Sequence, residues 1–498
     1  MVSSLNHPDP KHPFNLPTWR KLLMLATVSL TAFAANEMAA AHLTAFHQVS
    51  LTFDRTITAV ANTIGISILG LGTGPLLWNA IAESLGRRPA YLVAWTLYLP
   101  CVVWLSVATS YNSFAAARFF AGFCSSVSQT VPASIISETF LPEHRGTAVA
   151  AWTVLLIIGP VCAPIIGAGF LTVTTWRWVY YFDLILAGVL WIMIVLFVPE
   201  THYIVNPHAV TLRSHNDSSS AHDHKDKDLS DVVEGTSTPP MHSSDIESSS
   251  HATFGHVGVA WYPWKEPGRF LAEIVAPLKM AMYLPVILPS ILYAVIFMWS
   301  VGFTVVSPQV FPRPPWNFTN VAVGASFIAA AVGALFGKFA GGWVADATVT
   351  WFVKRNGGDG KRVPEYRLWS MLPHIFIFPL GLLLYGIGYA RGMSWPTEVI
   401  GGFGLYYVSN SAAGGILQTY IIESYITKAV HGIALFNFVK CCMAFSAPFF
   451  IPEWAFEDFT KSYVVQAIVT AALTIAVVAF LILFGGRLRK AQKMVSAS

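Results

Sequence analysis

The sequence predicts an all-α polytopic membrane protein, and three observations carry that expectation. Of its 498 residues, 54% are hydrophobic and only 11% charged, where a soluble domain carries about 25% charge. Apolar runs of the roughly 20 residues needed to cross a bilayer occur twelve times. Finally, the 30 Lys and Arg are unevenly placed: 22 fall on one set of alternate loops and tails, five on the other set, and three inside the runs. Basic residues concentrate on cytoplasmic loops, so both termini are placed in the cytoplasm.

The runs lie at 21–44, 57–79, 89–108, 113–136, 147–171 and 178–198, then at 283–306, 321–345, 368–389, 397–421, 431–452 and 462–485. Six runs, a long polar segment and six more runs read as two six-helix repeats with a site at their interface. The chain thus divides into a cytoplasmic tail (1–20), a first bundle (21–198), a cytoplasmic linker (199–282), a second bundle (283–485) and a second tail (486–498). The opening residues are polar and proline-rich without a small-residue cleavage site, so no cleaved signal peptide is read. The linker stretch 206–256 is rich in Ser, Asp, His and Gly and is expected to be disordered. Eight of the 15 histidines lie between His202 and His256, but no ligand spacing repeats, which favours a solvated linker over a metal sensor. Residues 261–279 mix aromatics with Lys and Arg and suit an amphipathic helix at the inner membrane surface. The five cysteines all sit in apolar runs as packing residues. Asn317-Phe318-Thr319 is a glycosylation acceptor on an outer loop.

The stretch 72–92 joins the second and third runs through a tight polar turn. Asn79, Glu83, Ser84, Gly86, Arg87 and Arg88 there resemble the loop between helices 2 and 3 of the major facilitator superfamily, whose pattern runs Gly-x-x-x-Asp-Arg-x-Gly-Arg-Arg. The Gly-Arg-Arg end is intact, Glu83 stands for the acid, and the leading glycine and first arginine are lost. Gly342-Trp343-Val344-Ala345-Asp346 is a weaker echo in the second half. The resemblance implies the major facilitator fold, with twelve transmembrane helices in two six-helix repeats. It also implies that Glu83, Gly86, Arg87, Arg88, Gly342 and Asp346 form gating loops. Glu83 and Asp346, at inner helix ends opposite the other half, are expected to pair with helix N-termini and nearby cations when the cytoplasmic side is shut, as a latch. The fifth run carries Gly159, Pro160, Pro164 and Gly167 in a stretch similar to the Gly-Pro-rich motif of antiporter branches, although Ala163 and Ala168 replace two of that motif's glycines. Trp176-Arg177-Trp178 and Val198-Pro199-Glu200-Thr201 resemble fungal members of the twelve-span drug:proton antiporter branch.

Ionisable residues inside a spanning helix are costly and are functional hypotheses by default. Glu37, in the first run, reads as a carboxylate that exchanges a proton or contacts a cationic substrate, because burial disfavours its charged form. His42, nearer the outer end, reads as interfacial. Arg118 opens the fourth run as Arg-x-x-x-Gly; by resemblance it faces the central cavity in the proton or substrate machinery. Asn410 and Gln418 of the tenth run join this pathway. Glu423 and Lys440 are expected to form an ion pair with a structural or gating role. Lys338 is left open between a lipid-facing and a cavity-facing position.

No nucleophile–base pair, metal set or Gly-x4-Gly-Lys-Ser/Thr motif is present, so an enzyme and an ATP-driven pump are not expected. The net charge of +4 gives no reason to expect nucleic acid. The leading expectation is a monomeric, cofactor-free secondary transporter that uses the proton gradient to export a small organic molecule, such as a drug or secondary metabolite. An alternative is an uptake permease for an organic acid, polyamine or vitamin; a transport-dead sensor is a third. Relatives point to the plasma membrane, with the vacuolar membrane as the alternative.

Overall fold

The computed structural model describes residues 13–201, 267–355, 363–425 and 428–497, and all its regular elements are helical. In the first half, the first run becomes α1 (Thr18–Ala40), a 3-10 turn at Leu43–Ala45 and α2 (Phe46–Phe53). The second and third runs are α3 (Ile57–Leu85) and α4 (Arg87–Val107). Run four is interrupted: α5 (Tyr111–Ser125) passes through a 3-10 turn, Ser126–Gln129, into α6 (Val131–Thr139), with Pro132 near its start. Then come α7 (Pro142–Leu171) and α8 (Arg177–Phe197). Between the halves, α9 (Pro267–Lys279) is the described part of the expected amphipathic helix; it packs on α3. The rest of the expected disordered linker lies outside the described residues.

The second half holds α10 (Leu284–Val310), α11 (Asn320–Arg355), α12 (His374–Ala390), α13 (Leu405–Ser424), α14 (Ala429–Glu457) and α15 (Phe459–Ala497). Among the described residues, eleven helices are long and apolar enough to cross a membrane. The run at 397–421 is not among them. It begins as a π-helical turn, Thr397–Gly404, and α13 beyond it is only 20 residues long. That helix carries Ser409, Asn410, Ser411, Gln418, Thr419 and Glu423, which dilute its apolar character.

Small residues let the two halves approach closely. On α3, a Cβ at Gly65 would lie 2.5 Å from the Phe445 carbonyl of α14, and one at Gly72 would overlap Cys441. The Asn437 amide on α14 also reaches the Leu71 carbonyl at 3.4 Å. A second seam joins α7 to α11, where a Cβ at Gly324 would lie 2.9 Å from both the Pro164 carbonyl and the Ala168 side chain. In membranes, where apolar burial does not drive helices together, close packing of this kind does.

Candidate functional site

The break in the first run is held open by Arg118. The Ala41 N–H turns back to the Met38 carbonyl at 3.3 Å, which ends the regular ladder of α1. Arg118 on α5 is fully buried and donates to the carbonyls of Met38 at 2.6 Å, of Ala39, and of Thr63 on α3 at 3.5 Å. A cation at the carbonyl end of a helix meets the negative pole of its dipole, and its fork of N–H groups suits several acceptors at once. Arg118 is thus a clamp on backbone, with its donors taken by carbonyls.

His42, expected at an interface, is instead completely buried inside the break. Its Nε2 meets the Thr63 hydroxyl at 3.0 Å and its Nδ1 the Tyr180 hydroxyl at 2.8 Å, with Phe46 and Phe114 edge-on around the ring. Both ring nitrogens have partners from neighbouring helices, so the ring stays inside.

Glu37 is also fully buried, and its neighbour is a residue that the sequence reading passed over. Asp183 on α8 lies beside it, buried and near enough for the two carboxyls to act on each other. No other described group donates to either carboxyl. Two carboxyl groups that meet away from water cannot both be ionised; they bond only through a shared proton. The main chain of Gly159 on α7 closes over this spot: a Cβ there would lie 2.5 Å from the Phe33 carbonyl and 3.1 Å from the Glu37 nitrogen. Gly167 fits equally closely at the break, beside Thr44 and Ala41. The glycines of the Gly-Pro stretch therefore seat α7 on both sides of the broken helix, while Pro164 and Ala168 face Gly324 of α11. At this seam the close approach is provided by Gly324 on α11.

At the arginine-rich end, the turn between α3 and α4 needs Gly86, whose φ of +112° lies in a region that other residues rarely adopt. Glu200, just after α8, caps α4 by accepting from the backbone N–H of Arg87 at 2.9 Å and of Arg88 at 3.2 Å. The Arg87 guanidinium pairs with Glu138 of α6 at 2.8 Å and Glu83 of α3 at 3.1 Å, and Thr201 donates to Glu138 at 2.7 Å. In the second half, Arg367 takes the same place, pairing with Asp346 of α11 at 3.0 Å and Glu423 of α13 at 2.9 Å. Glu365 is held by Arg489 of α15 at 2.6 Å.

Each network closes within its own half, so in this conformation Glu83 and Asp346 do not latch across the halves. Arg87 is nearly buried while its acids keep some water. Arg87→Ala should lower stability by about 2 kcal/mol, less than for a fully buried pair. Thermal unfolding together with surface-expressed flux measures this; normal values of both would remove the proposed role.

The expected Glu423–Lys440 pair is not formed. Glu423 is taken by Arg367, and the Lys440 ammonium stands 4.8 Å over the Phe297 ring instead. Asn410 is buried, with its amide donating to Ser300 of α10 at 3.2 Å and its oxygen without a partner. Gln418 is half-buried on the same helix, Gly342 has open space around it, and Asn317 is exposed on the α10–α11 loop. Glu398, also passed over in the sequence, is buried on the π-helical turn beside Gly388, near Tyr385 and Tyr463, and both of its oxygens lack partners. π-Helical turns often mark functional positions.

Comparison with known proteins adds to this geometry. The model of the Major Facilitator Superfamily matches residues 22–448. The chain is 26% identical over 465 residues to the major facilitator superfamily multidrug transporter FLU1 of Candida albicans, covering 91% of this chain and 68% of that one. It is 23% identical to protein HOL1 of Saccharomyces cerevisiae, covering 94% and 86%, and 24% identical to efflux pump radE of Floropilus chiversii, covering 89% and 76%. Among solved structures, the partially occluded inward-open xylose transporter XylE of E. coli superposes with a TM-score of 0.60 at 14% identity, covering 94% of this chain and 98% of that one. A D-xylose–proton symporter gives 0.59 at 13%, covering 91% and 97%.

Proposed function

Because this chain belongs to the major facilitator superfamily, and is thereby a membrane-embedded secondary transporter of a small organic molecule, we propose that it is a proton-driven exporter. In this reading the run at 397–421 also spans the membrane, which brings the count to twelve. The bundles 21–198 and 283–485 rock about a central site, with both termini in the cytoplasm of a plasma-membrane monomer. The observation that carries proton coupling is the carboxyl pair Glu37–Asp183, buried side by side with no described donor on either group. A site sealed among α1, α7 and α8 suits a proton better than an organic solute.

Export is supported by the similarity to a multidrug transporter and an efflux pump, and by the Gly-Pro stretch of α7 that seats the broken helix. The uptake reading keeps one specific support, because a symporter shares the fold. The same proton pair serves either direction, so the sign of the flux decides. The test is net flux in yeast stripped of its own exporters, across lipophilic cations, organic anions and neutral metabolites at two external pH values. Lower accumulation that disappears when a protonophore collapses the gradient is the expected result; higher accumulation would make the permease the working model.

A further inference from the structure

With Arg118 committed to carbonyls and Glu37 to Asp183, neither charge is left for a solute. Glu398 lies at one end of its helical segment, away from the middle. Two interior charges remain, Lys338 and Lys440, and among the described residues neither takes part in an ion pair. Each sits near the middle of its helix, α11 and α14, at the depth where solute sites of transporters with internal repeats lie.

Their directions follow from their neighbours. Lys338 is two heptads from Gly324, on the face of α11 that meets α7 of the first half, and its Nζ lies 3.5 Å from where a Cβ of Gly415 on α13 would stand. The side chain therefore reaches across to α13, on the flank of α11 that meets α7 farther along its length. Lys440 lies between Asn437 and Cys441, which touch α3 of the first half, and Phe436, which faces α10.

An aromatic wall joins the two. Tyr293 of α10 packs its hydroxyl on Gly414, next to the residue under Lys338. Its ring stacks on Phe436 at 5.0 Å and 13° and on Phe297 at 6.1 Å, and Phe297 carries the Lys440 ammonium.

We propose that Lys338 and Lys440 flank a binding site for an organic anion with a flat apolar body, the anionic group meeting the lysines and the body lying along Tyr293 and Phe297. Two unpaired cations held at membrane mid-depth are costly, and an anion that enters between them offsets that cost. This rests on the transporter reading and names the class of solute for it.

The test is equilibrium dialysis of three probes against the purified full-length protein in nanodiscs, with empty nanodiscs subtracted. The probes share one ring system: 1-naphthoate, neutral 1-naphthamide and cationic 1-naphthylmethylammonium. Naphthoate is expected to bind about tenfold tighter than the amide, the scale of one charge-assisted hydrogen bond, and the ammonium more weakly than either. Lys338→Gln and Lys440→Gln should each bring naphthoate about tenfold down toward the amide while amide binding stays unchanged. Lys440→Arg, which keeps the charge, should retain the preference.

Equal binding of acid and amide, tighter binding of the ammonium, no naphthoate binding, or a preference that survives both Gln variants would each overturn the assignment. The measurement uses no gradient, so a failure of proton-driven export in cells is read separately from a failure here.

Discussion

Arg118→Ala should cost more stability than any other single exchange in the first bundle. The change removes the guanidinium from the carbonyls of Met38, Ala39 and Thr63; Met38 keeps the Ala41 N–H and Thr63 lies inside α3, so the loss falls mainly on Ala39. A buried acceptor left without a donor costs roughly 1–3 kcal/mol, which is the expected loss before the cavity is counted. The cavity left by a fully buried arginine adds to this.

Arg118→Lys separates charge from geometry. An ammonium keeps the favourable interaction with the helix end but cannot fan out to three carbonyls as a planar fork does, so its melting temperature should fall between wild type and alanine. Thermal unfolding of the purified protein in nanodiscs reads both variants. An alanine variant that melts like wild type would show that the broken helix does not depend on this residue. A lysine variant equal to wild type would reduce the role to charge alone.

The same residue shows what the sequence could and could not tell. The cost of an arginine in an apolar run made Arg118 a candidate from composition alone, but its partners are main-chain carbonyls. Two of them, on Met38 and Ala39, are within its reach at the end of α1, which stops at Ala40, and a break without a proline leaves no strong mark in sequence. Apolar length marked where most helices run, and the run at 397–421 fell short because polar residues are scattered along it. Asp183 and Glu398 were visible by the criterion that singled out Glu37, an acid in or at the edge of an apolar run, and were passed over. The Glu423–Lys440 pairing failed differently: opposite charges on neighbouring runs suggested it, while the nearer arginine lay in the loop before α12. Pairing is set by three-dimensional neighbours, which residue spacing across a loop does not fix.

A further regularity becomes visible only with those neighbours in place. Glu83, Arg87 and Glu138 occupy α3, the start of α4 and α6; Asp346, Arg367 and Glu423 occupy α11, the turn before α12 and α13. Acid, arginine and acid recur in the same order along each half, although the sequences around them barely agree. The arginine ties three helices together in each case, which would let each bundle move as a rigid unit.

Removal of the shareable proton is the sharpest test of how such movement is driven. In Glu37→Gln, the new amide can donate to Asp183 permanently, and Asp183→Asn does the same for Glu37. Either variant mimics the protonated pair without being able to release the proton. Concentrative, gradient-driven flux should fall by about 10²-fold in each, the scale of losing a proton-transfer group. Exchange of solute for solute without a gradient should stay within about twofold of wild type, because packing is preserved by near-isosteric replacement. The residual flux should also lose its dependence on external pH.

Two residues acting as one unit give strongly non-additive effects, so the double variant should be no worse than either single one. A double variant whose loss equals the product of the two would mean that the carboxyls work independently. If instead both single variants kept full gradient-driven flux, the proton would have to travel elsewhere, and Glu398, a further buried carboxyl without a partner among the described residues, would be the next residue to exchange.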